Sequence, residues 1–321
     1  MVYLARRLLH TLFLLVGVSI LSFLFLELAP GDYVSEMLLN PQVSPETVAA
    51  MRAQYGLDRP LPVRYFDWIK AVAHGDLGYS FAYNLPVASL LGERARNTLF
   101  LTIAAAVLAW LLALPLGVLA AEHRGGWFDS ILGVGTSTLL ATPDLLLPLV
   151  LVIFAVRSGR FPVGGMTSLD YADLSAAGKL HDLVSHATLP VIALALTTLP
   201  VLVRHVRASV LDALATPSLV TARAYGIRKH GILLRHTLRL AANPIITLGG
   251  LSIATLLSSS LLVEVIMSWP GLGPMLLEAI LGRDFYVVIG AVMFSTVLLT
   301  MGNFTADALL YLMDPRTRVR P

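Results

Sequence analysis

Six stretches of this chain are apolar for long enough to cross a lipid bilayer, and that feature limits its folds more than any other. About 20 mostly apolar residues span the roughly 30 Å hydrocarbon layer at 1.5 Å per residue. Such runs occur at about 8–28, 98–121, 129–156, 184–203, 241–267 and 285–312. The sequence is 56% apolar without its 24 glycines and only 13% charged, against about 25% charged in a soluble domain. A chain so poor in polar surface is solvated by lipid, and there every backbone polar group must be satisfied within a helix or a closed barrel. Runs of this length predict an all-α membrane protein with six transmembrane helices in one membrane domain. No repeat of 20–50 residues and no low-complexity tract divides it. Arg6 and Arg7 precede the first run as they would in a signal peptide. The run is too long for one, and Ala29-Pro30-Gly31-Asp32 offers no small-x-small cleavage site, so it reads as a retained anchor.

Charge sets the expected orientation. Both termini with loops 122–128 and 204–240 make about 60 residues that hold 13 of the 23 lysines and arginines. The other side, 30–97, 157–183 and 268–284, is about 112 residues and holds 10. The twofold higher density makes the first side, and both termini, cytoplasmic. Arg223, Arg228, Lys229, Arg235 and Arg239 contribute most, followed by Arg316, Arg318 and Arg320. A charge of +3 and a pI near 9.3 do not point to nucleic acid, because the basic residues flank apolar runs and form no single face. With no cysteine, disulfides, thiolate metal sites and a cysteine nucleophile are excluded.

Two connections are too long to be turns. In the outer loop 30–97, Ser44 can cap a helix that starts at Pro45, carries Glu46 in its first turn and ends before Gly56. A second helix follows Pro60 and Pro62, with Val63, Phe66, Ile69 and Val72 spaced three apart, and stops at Gly75. Tyr65, Phe66 and Trp68 suit an interfacial helix or a small soluble cap. In the cytoplasmic loop 204–240, Thr216-Pro217 opens a helix of about nine residues that Gly226 closes, and a further helical run begins near Ile232. Thr221, Ala222 and Ala224 are small enough for close approach, and Arg223 can pair with a carboxylate. Such a cationic helix serves a docking protein or acts as a linker that only carries the inside charge.

Inside the membrane, Asp144 follows Thr142-Pro143 near the middle of the third run. A mid-membrane carboxylate is costly. It either satisfies amides freed by Pro143 at a helix break or lines a solute path. Glu264 and Asp307 lie near span ends, where they reach water or an arginine, and Glu27 ends the first span in the same way. Trp269-Pro270-Gly271-Leu272-Gly273 is a turn by composition, with an indole expected at interface depth. The eight histidines show no metal-pair spacing. The one Gly-Lys pair, Gly178-Lys179, precedes Leu180 and not Ser or Thr, so no P-loop is present. The sequence has no Gly-x-Ser-x-Gly and no His-Glu-x-x-His, and only one span looks broken. Those features disfavour a membrane hydrolase and an inverted-repeat secondary transporter.

Several motifs, in order along the chain, carry a family resemblance. Thr221-Ala222-Arg223-Ala224-Tyr225-Gly226-Ile227, then His236-Thr237-Leu238-Arg239 and Asn243-Pro244, resemble the cytoplasmic loop of binding-protein-dependent ABC permeases, dipeptide/oligopeptide/nickel branch, B-type subunit. Gly56-Leu57-Asp58-Arg59-Pro60-Leu61 and Gly75-Asp76-Leu77-Gly78-Tyr79-Ser80 resemble that branch's first outer loop. Pro115 to Ala121, Glu264 to Gly273, Arg283-Asp284-Phe285 and Asp314-Pro315-Arg316 extend the resemblance nearly end to end. The wider family has Glu-Ala-Ala where Val220, Thr221 and Ala222 stand, and Leu-Pro where Leu238-Arg239 stands. Both departures match the peptide branch.

The resemblance implies a type I ABC importer permease (MetI-like) fold with a large extracytoplasmic loop after helix 1, in a bacterial inner membrane. It implies a homologous C-type permease subunit as heterodimer partner, two cytoplasmic ABC ATPases and an extracytoplasmic solute-binding protein. No cofactor is expected in this chain, since ATP and Mg would be bound by the ATPases, and no catalytic or metal residue is expected. Thr221, Ala222, Arg223, Ala224 and Gly226 would form the ATPase-coupling helix. Trp269, Pro270, Gly271 and Gly273 would lie at the outer gate on the binding-protein side. Pro143 and Asp144 remain candidates for the pathway or a helix break. Peptide is the commonest solute of the branch; nickel complexes, glutathione and oligosaccharides remain open.

Overall fold

A computed structural model describes residues 2–28, 44–54, 56, 58–217, 219, 221, 225 and 237–313. Its helices are α1 (Val2–Leu28), α2 (Pro45–Gln54), α3 (Leu61–Ala73), α4 (Val87–Glu122), α5 (Trp127–Ala141), α6 (Leu146–Ser158), α7 (Ala176–Leu214), α8 (Leu238–Ile266), α9 (Leu272–Leu281) and α10 (Phe285–Met313). The strands among the described residues are β1 (Tyr79–Ser80) and β2 (Leu85–Pro86), an antiparallel hairpin. Five helices are long and apolar enough to cross a bilayer, and six spans result if the bent pair α5–α6 counts as one. The chain divides into two units, Met1–Asn97 with Pro270–Leu298 and Thr98–Trp269 with Leu299–Pro321.

In the first unit, α1 turns Phe13 and Phe25 outward and buries Phe23. Phe23 packs edge-on against Tyr65 and Phe285 and at a tilt against Trp68. Ser44 caps α2 as expected, its Oγ accepting from Thr47 N at 3.2 Å. The buried stripe of α3 is Tyr65, Trp68, Ile69 and Val72, whereas Val63 and Phe66 point outward. A strict three-residue spacing advances 300° per step on a helix of 100° per residue, so it drifts off the buried face. The expected register was right only at its end. Asp284 anchors the hairpin: its buried carboxylate accepts from Ser80 Oγ at 2.7 Å and Ala82 N at 3.1 Å. Gly78 lies against the Tyr286 ring with φ +97°, and a Cβ there would stand 2.7 Å from ring carbons.

The second unit holds the larger core, built on small residues. Ala105, Ala109 and Ala113, four apart on α4, are fully buried beside Ala193, Leu194 and Leu202 of α7. Small side chains let helices approach closely in a bilayer, where packing and interhelical hydrogen bonds replace the hydrophobic drive. Trp110 Nε1 donates to Ser252 Oγ at 3.1 Å and joins α4 to α8.

Three helices differ from their expected extents because an apolar window marks hydrocarbon and not helix. α4 begins at Val87, so the last part of the expected outer loop is helical. Glu93, Arg94, Ala95 and Arg96 are good helix formers, and nothing breaks the turn. α7, expected near 184–203, has 39 residues. At 1.5 Å each that is about 58 Å, well beyond the hydrocarbon thickness. The expected single span 129–156 is two helices at 99° to each other. Pro143 removes an amide donor and pushes Thr142 out of the helical region, and Thr142 sits at φ −81°, ψ 123°.

Candidate functional site

Helix α7 ends at Leu214, and Ala215 and Thr216 return hydrogen bonds to its last carbonyls. Leu219 is buried, Thr221 Oγ1 donates to Pro217 O at 2.9 Å, and Tyr225 N donates to Thr221 O at 3.1 Å. Those last two bonds are the four-residue spacing of a helical turn, as expected after Pro217. Tyr225 is exposed. Ala222, Arg223, Ala224 and Gly226 lie outside the described residues, as does the run near Ile232.

The turn after α8 departs from expectation. Trp269 is completely buried in the second unit and stacks on Phe100, with ring centroids 6.0 Å apart and planes 9° apart. Its indole fills a core and is not presented as an interface anchor. The cause is local: Ser268 adopts φ 53°, and Trp269 N folds back to Glu264 O at 2.8 Å. Glu264, expected near water, is likewise fully buried. Pro270, Gly271 and Gly273 fall in the first unit. There Asn97 Nδ2 donates to Pro270 O at 2.8 Å, Gly271 precedes α9, and Gly273 is buried within it.

Pro143 and Asp144 occupy the α5–α6 break, both exposed. The amides around it bond to backbone, Thr142 N to Thr138 O at 3.1 Å and Leu146 N to Pro143 O at 2.9 Å. Among the described residues no hydrogen bond or ion pair reaches the Asp144 carboxylate, so it does not serve as the amide acceptor considered from sequence.

Two polar clusters were not read from sequence. Between α5 and α7, a cavity of about 550 Å³ is lined by Ser130, Gly133, Thr136, Ser137 and Thr138, by the apolar Leu132, Val134 and Val203, and by Asp129, Arg204 and Arg207. Arg207 Nε and Nη2 donate to the two oxygens of Asp129 at 2.6 and 2.7 Å. Gly125 N adds a 2.9 Å bond to the same carboxylate. Arg204 Nη2 donates to Ser137 Oγ at 2.6 Å. Arg204 and Arg207 are three apart on one helix face, a spacing visible in the sequence but absorbed into the inside charge. In the first unit, Tyr83 hydrogen-bonds Glu278. Burial, and then that carboxylate, push the Tyr83 phenol up to about 12. No group of three or more His, Asp or Glu suited to a metal occurs among the described residues.

A predominantly helical chain with several apolar spans, the third of them broken, defines an integral membrane protein by architecture. This chain belongs to the binding-protein-dependent transport system inner membrane components: residues 113–319 match that family, and residues 1–102 match its N-terminal region. It is thus a multi-pass inner-membrane permease subunit and not itself an enzyme. It is 34% identical over 316 residues to the oligopeptide transport system permease protein AppB of Bacillus subtilis (strain 168), covering 98% of each chain. It is 34% identical over 338 aligned positions to the dipeptide transport system permease protein DppB of Escherichia coli (strain K12), again covering 98% of each. Identity to the glutathione transport system permease protein GsiC of Salmonella typhi is 32% over 319 positions, with 99% of each covered. Among solved structures, a chain of the inward-facing MetNI methionine ABC transporter matches with TM-score 0.57 at 18% identity, over 70% of this chain and 96% of that one. That likeness concerns the fold.

Proposed function

We propose that this chain forms half of the translocation pathway of an ABC importer for di- and oligopeptides. The observation that carries the reading is near-complete alignment, at 34% identity, with two permeases named for oligopeptide and dipeptide transport. The glutathione permease relative keeps that tripeptide within the same solute class. The partners are a homologous C-type permease subunit, two cytoplasmic ABC ATPases that bind ATP and Mg, and an extracytoplasmic binding protein. Both termini and the 204–240 loop face the cytoplasm, as the arginine density requires.

The mechanism is alternating access. ATP-driven closure of the ATPase pair moves the short helix after Pro217 as a rigid lever, and the spans behind it open toward the outer face. Solute then passes from the binding protein into a cavity between the two permease subunits. Arg223 holds the lever by charge and Gly226 ends it. Gly226→Asp or Arg223→Glu is expected to abolish ATP-driven peptide uptake by the reconstituted transporter while the chain remains inserted. Undiminished uptake with either change would remove the docking role.

A further inference from the structure

The fourth span ends in a pair of arginines at the edge of the hydrocarbon. Between Asp182 and Arg204, α7 carries no Asp, Glu, Lys or Arg for 21 residues. That run is about 31 Å long at 1.5 Å per residue, close to the roughly 30 Å hydrocarbon layer. Arg204 and Arg207 therefore stand where that layer gives way to headgroups, and both line the cavity of about 550 Å³ between α5 and α7. Leu132, Val134 and Val203 give the same cavity an apolar wall. Val134 is 68% exposed, and Ile131, three residues before it on α5, is 63% exposed. Exposed apolar surface beside exposed arginine suits a ligand that is itself amphipathic.

Charge narrows the ligand further. Arg207 is answered by Asp129 through two short bonds. Arg204 is exposed, and its described partner is the neutral Ser137 hydroxyl, with no ion pair among the described residues. Arg124, before α5, lies within electrostatic reach of the same Asp129, so three arginines share one carboxylate. The wall hydroxyls are already engaged: Ser130, Thr136, Ser137 and Thr138 donate to carbonyls three or four residues earlier in the chain. Recognition falls to the Arg204 guanidinium, which has five N–H donors in a planar fork, a geometry suited to phosphate. A choline or ethanolamine headgroup would add an ammonium that Asp129 is not free to receive, since Arg207 and Gly125 N already hold it. We infer that this cavity holds a phospholipid of the cytoplasmic leaflet with a net-anionic headgroup. Its phosphate sits on Arg204, and its glycerol and upper acyl chains lie along Leu132, Val134 and Val203. Basic pockets between spans on the cytoplasmic side bind such headgroups. The leaflet rests on the cytoplasmic reading of the 204–240 loop, and the site adds to that reading a dependence on lipid composition.

The experiment is native mass spectrometry of the assembled transporter with dioleoyl phosphatidylglycerol or dioleoyl phosphatidylcholine. The first lipid bound should favour phosphatidylglycerol by about fivefold or more, the factor for one arginine beside an anionic headgroup. Arg204→Gln should remove that preference, and Arg204→Lys should keep part of it, which guards against a merely unfolded variant. Arg316→Gln, which removes another of the arginines counted to the inside, should leave it intact. Glycerol 1-phosphate, which has the phosphate without acyl chains, should not displace the lipid. Displacement at equal concentration would assign the cavity to a soluble phosphate compound and overturn the lipid. A preference shown by the isolated chain but lost on assembly would mean that another subunit covers the cavity. That result, equal binding of the two lipids, or a preference that survives Arg204→Gln would each overturn the assignment. Tyr225→Cys, exposed after α7, tests the leaflet separately with a membrane-impermeant thiol reagent. Labelling only in inside-out vesicles supports it, and labelling in right-side-out vesicles overturns the cytoplasmic reading and the leaflet together. With labelling from the inside and no lipid preference, the lipid site alone falls.

Discussion

Replacing Gly117 with alanine tests whether α4 and α7 are as tightly apposed as the structure places them. A Cβ at Gly117 would stand 2.7 Å from both Cβ and Cγ1 of Val206 and 2.9 Å from the Val203 carbonyl oxygen. Carbon pairs are comfortable at about 3.5–4.0 Å, so the shortfall is about 1 Å on two sides. Val206 is fully buried and Val203 nearly so, and the third contact is backbone, so no flexible side chain can yield. Overpacking of this kind costs about 1–3 kcal/mol. The upper part of that range fits three contacts below 3.0 Å. Alanine returns about 1 kcal/mol in helix propensity, which leaves a net loss of about 1–2 kcal/mol. Gly249→Ala is the internal control: its nearest neighbour would be a Trp110 ring carbon at 3.7 Å, an ordinary contact. It should keep its propensity gain and be neutral or stabilising. The assay is denaturing-detergent unfolding in mixed micelles, followed by tryptophan fluorescence. Val206→Ala should cost less in the Gly117→Ala background than alone, by about 0.5 kcal/mol or more, because it removes the Cγ1 contact and gives the chain room to relax the one to Cβ. A Gly117→Ala chain as stable as the parent, or identical Val206→Ala costs in both backgrounds, would refute the close apposition.

Asp129→Asn should cost about 1.5–3 kcal/mol in the same unfolding assay, the value of hydrogen bonds to a charged group. The exchange Asp129→Arg with Arg207→Asp should recover more than half of it; no recovery would mean the bidentate pair of 2.6 and 2.7 Å is not formed. The Tyr83 phenol, raised from an ordinary 10.0 to about 12, binds its proton more tightly folded than unfolded. Its contribution to stability is therefore whole below pH 10 and lost as pH climbs through 12. Ultraviolet titration should show a late-ionising tyrosine that Tyr83→Phe removes and that Glu278→Gln moves only part of the way back, since burial is the larger cause.

The membrane architecture was legible because hydrocarbon imposes a length and an apolar composition that any single span must meet locally. The break in the third span was legible for the same reason, since Pro143 acts on its own backbone neighbours. Ser44 as a cap and the turn after Pro217 are also decided within four residues of chain. The register of α3 was misjudged because spacing by three resembles a helical face over two residues and leaves it over four. Trp269 and Glu264 were misplaced because an indole or a carboxylate near a span end is compatible with either water or a core. Only the partner surface, here Phe100 for the indole, decides between them.

Sequence alone determined that the chain crosses a bilayer several times, that its third span breaks at Pro143, and that its arginines gather in one set of its loops. Those outcomes depend on solvation and on backbone chemistry between near neighbours. The tertiary structure alone decided that Arg207 is answered by Asp129 across 78 positions, that Arg204 meets Ser137 across 67, and that residues of α5 line a cavity beside them. A charge in low dielectric is governed by what lies within a few ångströms of it, and distance along the chain carries no record of that.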